Sequence, residues 1–89
     1  EDEKLEIAKR HLIPEQLTAH GLEANEWTVE DGAIKQVIRR YTREAGVRSL
    51  EREMAKLARK AVKEILTSSK TSITVTAENV EQYLGVPKY

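Results

Sequence analysis

Apolar residues recur at helical spacing in two long stretches of this chain, one on each side of a single glycine. Ile34, Val37, Ile38, Tyr41 and Ala45 precede Gly46, and Leu50, Met54, Leu57, Ala61 and Ile65 follow it. Each series keeps the alternation of three and four that makes one face of a helix apolar. The pattern predicts a third helix running to Ala45 and a fourth over residues 48–66, with Gly46 ending the former in the left-handed conformation. Upstream, Leu5, Ala8 and Leu12, with Ile7 and Ile13, mark an amphipathic first helix. Pro14 is expected to end it at Leu12 or Ile13, because the residue before a proline is pushed away from helical geometry. A short second helix then starts at Pro14, includes Leu17 and stops near Gly21.

Two short stretches read differently. Glu26, Trp27, Thr28 and Val29 form a brief strand pattern, and Thr28, three residues before Asp31, resembles a helix-capping pair. The polar residues 67–72 lead into a second strand, Ile73, Thr74, Val75 and Thr76, after which Thr76 is expected to cap a last helix ending at Gly85. Two isolated strands that each precede a helix most simply pair with each other, here in parallel across the helical crossover. The fold class is therefore mainly α, an α-rich α+β arrangement with a small two-stranded patch, in one domain over residues 1–89. Gly32 departs from this pattern, since alanine would suit the first turn of the third helix better by roughly 1 kcal/mol.

With 39% hydrophobic and 34% charged residues, the chain has the composition of a globular protein, neither disordered nor membrane-spanning. No apolar run approaches the roughly 18 residues of a spanning helix, and no export signal is visible, so a cytoplasmic setting without membrane contact is expected. The lack of cysteine excludes disulfides, thiolate metal sites and cysteine nucleophiles. Glu1 in place of methionine suggests a piece of a longer polypeptide. The zero net charge is unevenly spread: residues 1–31 carry nine acidic and three basic side chains, and residues 35–63 carry ten basic and three acidic. A basic middle block of this kind is a solvated face or a surface for a polyanion.

Several chemistries are missing. There is no GxxxxGK[ST] phosphate loop, so the chain cannot hydrolyse a nucleotide by itself. Ser49, Ser68, Ser69 and Ser72 read as helix-start and turn residues. His11 and His20 lack metal-ligand spacing, and no metal site is expected. What remains is Arg48, which follows the helix-breaking glycine at the start of the fourth helix. Exposed backbone N–H groups and the positive end of the helix dipole favour an anion there, and a cation is out of place unless an anion is near.

The string YTREAGVRSLERE, residues 41–53, resembles the sensor-2 segment of the Lon family, ATP-dependent serine proteases of the AAA+ class. EKLEIAKRHLIP at residues 3–14 resembles the start of that family's small helical subdomain, and YLGV at residues 83–86 its end, so the likeness covers the whole chain. The resemblance implies a lid of four helices with a small parallel β pair. It implies that Arg48 senses the transferred phosphate, and that Ile7 and Val47 line the adenine pocket, although core packing accounts equally well for Ile7. It further implies ATP or ADP with Mg2+, bound mainly by a large ATPase subdomain. The implied partners are that subdomain and a protease domain in the same chain, neighbouring subunits in a homo-oligomeric ring, and unfolded protein substrates. Closure of the lid would then couple hydrolysis to pulling substrate through the ring.

The basic block leaves a second reading open. At about 100° per residue, Arg48, Arg52, Lys56, Arg59 and Lys63 fall within roughly an 80° sector opposite the apolar face of the fourth helix. Lys35, Arg39 and Arg43 lie away from the apolar face of the third. Two such faces could neutralise DNA phosphates without reading sequence, but no aromatic residue interleaves the stripe.

Overall fold

The computed structural model describes residues 2–42 and 47–87. Its elements are α1 (Asp2–Ile7), a π-helical stretch (Ala8–Leu12), α2 (Ile13–His20), β1 (Trp27–Val29), α3 (Asp31–Arg40), α4 (Arg48–Ser68), β2 (Ile73–Val75) and α5 (Val80–Leu84). The first three run on without a break, so Pro14 does not end the first helix as its local effect predicts. Ile13 stays helical at φ −65°, ψ −48°, and its N–H donates to the carbonyl of Ala8, five residues back. In a regular α-helix the proline ring would press on the carbonyl of Arg10 and leave it without a donor. The wider π turn takes up that mismatch, and it keeps Ala8 and Leu12 both buried.

α2 stops where expected. Gly21 lies in the left-handed region (φ 66°), its N–H reaches the carbonyl of Thr18 at 3.3 Å, and Leu22 N–H reaches Leu17 at 2.8 Å. These two bonds make a Schellman ending and satisfy carbonyls that the helix leaves free. β1 and β2 pair in parallel, Trp27 with Ile73, Thr28 with Thr74 and Val29 with Val75. Both strands bury their outer residues and expose the central threonine, the alternation of a sheet covered on one face.

Three predicted boundaries are corrected. Thr28 sits exposed in mid-strand and caps nothing; the N-cap of α3 is Glu30, whose carbonyl accepts from Ile34 N–H at 3.0 Å. α3 ends at Arg40, not Ala45, because Tyr41 leaves helical geometry (φ −121°, ψ −11°) and the Thr42 hydroxyl donates to the carbonyl of Ile38 at 2.8 Å. That carbonyl would otherwise take the backbone N–H of Thr42, so the hydroxyl replaces the next helical bond. Ala45 and Gly46, with the predicted glycine cap, lie outside the described residues. Thr76 caps one turn ahead of α5: it exchanges bonds with Asn79, Thr76 N–H to Asn79 Oδ1 at 2.7 Å and Asn79 N–H to Thr76 Oγ1 at 3.2 Å. This is a capping box with asparagine in the usual Glu/Gln place.

α4, 21 residues long, is the spine. Leu50, Met54, Leu57, Ala58 and Ala61 on its inner face join Ala33, Ile34, Val37 and Ile38 of α3 and the buried residues of both strands in one core. Trp27 is buried there with no hydrogen-bond partner for Nε1 among the described residues. No described helix is long and apolar enough to cross a membrane.

Candidate functional site

The sensor-2 segment divides by burial. Tyr41, Thr42, Leu50 and Glu53 are buried, Val47 and Ser49 half-buried, and Arg48, Glu51 and Arg52 exposed; residues 43–46 lie outside the described part. Its apolar and hydroxyl-bearing members therefore hold α3, α4 and α5 together, and its arginines face out. Val47 precedes α4 with φ −121° and ψ 7°, and its carbonyl accepts the N–H of Glu51 at 2.8 Å. As a valine it offers no side-chain acceptor to the free N–H groups of the first turn. Arg48 opens the helix, solvent-exposed and without an ion-pair partner among the described residues. A guanidinium beside the positive end of a long helix makes a cationic spot, suited to a phosphate.

Ile7, half-buried where α1 meets the π turn, lines a shallow depression with Glu6, Arg10 and His11. Arg10 Nε and Glu6 Oε2 pair at 2.8 Å on its rim. Val47 is not among the described residues lining it. His20 Nδ1 lies 3.1 Å from the carbonyl of Gln16. Among the described residues no three His, Asp or Glu side chains stand close enough to hold a metal ion.

The basic faces are less uniform than the helical wheel suggests. Arg39, Arg52, Arg59 and Lys63 are exposed, but Lys35 and Lys56 are half-buried. Lys56 Nζ lies 3.1 Å from Glu53 Oε2, so its charge is paired within α4. Arg43 lies outside the described residues. Sequence reasoning missed the buried Glu53, although its place three residues after Leu50 and four before Leu57 puts it on an apolar row. It also missed the Tyr41 hydroxyl bond to the carbonyl of Gly85, which no local pattern signals.

Residues 18–73 match the family model of the Lon protease AAA+ ATPase lid domain. The chain belongs to that family. It is 63% identical over 89 residues to the Lon protease of Azorhizobium caulinodans, covering all of this chain and 10% of that protein. It is 57% identical over 90 residues to the Lon protease of Vibrio parahaemolyticus, covering 12% of it. The chain thus spans about a tenth of the length of these curated relatives. Its fold superposes on the solved SSD domain of Bacillus subtilis Lon protease with a TM-score of 0.79 and 48% identity, over 100% of this chain and 94% of that one.

Proposed function

We propose that residues 1–89 form the nucleotide-sensing lid of the ATPase module of an ATP-dependent serine protease, with Arg48 as the sensor-2 arginine. The observation that carries this reading is the exposed guanidinium, without an ion-pair partner among the described residues, at the first residue of a 21-residue helix in a chain of the Lon lid family. A permanently charged, bidentate donor in that place would stabilise charge on the transferred phosphate and lose its partner once the terminal phosphate leaves. ATP or ADP fits this cationic spot. The accompanying Mg2+ does not, since no described cluster could ligate it, and its ligands belong to a large ATPase subdomain. The depression at Ile7 is the place for the base. Movement of this rigid body against the large subdomain would transmit hydrolysis to unfolded protein substrates held by a ring of subunits in the cytoplasm.

The test is Arg48→Ala in the full-length protein. ATP binding should persist while turnover and protein degradation fall by about ten- to a thousandfold. Unchanged turnover would remove Arg48 from the mechanism.

A further inference from the structure

At the point where α3 stops, two consecutive side chains are bound to the main chain. Tyr41 is 3% exposed and its hydroxyl donates to the carbonyl of Gly85, 2.5 Å away and 44 residues along the sequence. Thr42 is buried beside it, with its hydroxyl on Ile38. Gly85 lies just past α5 at φ 82°, ψ −163°, where side chains are strained, and its N–H closes α5 on the carbonyl of Glu81. The phenol is kept as a donor: burial first, then the carboxylates of Glu81 and Glu53, push its ionisation above the ordinary value, and Arg40 only partly opposes them. Glu53 comes from the second turn of α4, so three helices meet at one ring. Arg48 stands five residues before Glu53 on α4, so the way α4 packs at this ring bears on where the guanidinium stands.

We propose that Tyr41 is a positioning residue for Arg48: its bond to the Gly85 carbonyl fixes the end of α3 against α5 and thereby holds the first turn of α4, with its guanidinium, in register with the body of the lid. This rests on the sensor reading of Arg48. Packing alone would be satisfied by phenylalanine, so the hydroxyl separates the two roles.

The experiment compares steady-state ATP turnover of the full-length protein as wild type, Tyr41→Phe, Arg48→Ala and the double variant, below the melting midpoint of each. Tyr41→Phe should lower kcat about three- to tenfold, the scale of one lost buried hydrogen bond, with KM little changed. The double variant should match Arg48→Ala alone, because a residue that acts through Arg48 has nothing to act on once it is gone. Gly85→Ala meets no atom within 4 Å at its new Cβ but cannot hold φ 82° without strain, so it moves the acceptor and should lower kcat as Tyr41→Phe does. Losses that multiply in the double variant, or a Tyr41→Phe enzyme with wild-type kcat, would overturn the inference while leaving the sensor reading intact. An Arg48→Ala enzyme with wild-type turnover would end both.

Discussion

Gly32 shows how far a local rule reaches at the scale of one residue. It stands exposed in the first turn of α3, and an added Cβ would meet only the Cβ of Ala77 at 3.6 Å, an ordinary contact. Nothing in the backbone requires glycine, so Gly32→Ala should raise stability by about 0.5–1 kcal/mol through lower entropy of the unfolded chain. Urea unfolding followed by the fluorescence of Trp27, the sole tryptophan, measures this; a loss of stability would mean that the Ala77 turn cannot accept the methyl. The place of Arg48 at the start of α4 was legible because the apolar period of that helix begins within a few residues of it. Tyr41 was legible only as an apolar helix position. Its hydroxyl partner, Gly85, lies just past another helix and 44 residues away, beyond any periodicity.

At the scale of elements, α4 and both strands were readable because each has one buried face, and burial imposes a period of 3.6 or 2. The ends of α3 and the passage through Pro14 were not. There side-chain bonds and tertiary packing overrode the local signals. The one-residue slack of the π turn brings Ala8 and Leu12 into the core while removing the clash that proline causes in a regular helix. Relieving proline in an unadapted helix interior gains about 3 kcal/mol or more. Pro14→Ala should therefore change stability by less than about 1 kcal/mol, because the strain is already absorbed. A gain near the full value in denaturant unfolding would show that the π turn does not accommodate the ring.

At the scale of the whole molecule, Glu64 joins parts that sequence keeps apart. Its carboxylate, near the end of α4, takes Lys70 Nζ at 3.0 Å from the turn before β2, and Tyr83 of α5 also bonds to it. The Lys70 bond first, then the Tyr83 bond, hold Glu64 below the ordinary value of 4.5, against the opposing cost of desolvation. A carboxylate with a depressed pKa in the folded state adds stability that is complete above the unfolded value and is lost as pH falls through the folded one. Stability should therefore drop as pH falls below about 4.5, and Glu64→Gln should be less stable at neutral pH and flatter on that acid limb. Tyr83 and Tyr41 carry the opposite sign. Burial raises both above 10.0, so the neutral phenol is the native form and stability is lost as pH climbs past that value. Midpoints of Trp27-monitored unfolding from pH 3 to 11 test both limbs. An acid limb equally steep in Glu64→Gln would assign the loss to other carboxylates and leave the clamp between α4 and α5 without an electrostatic part.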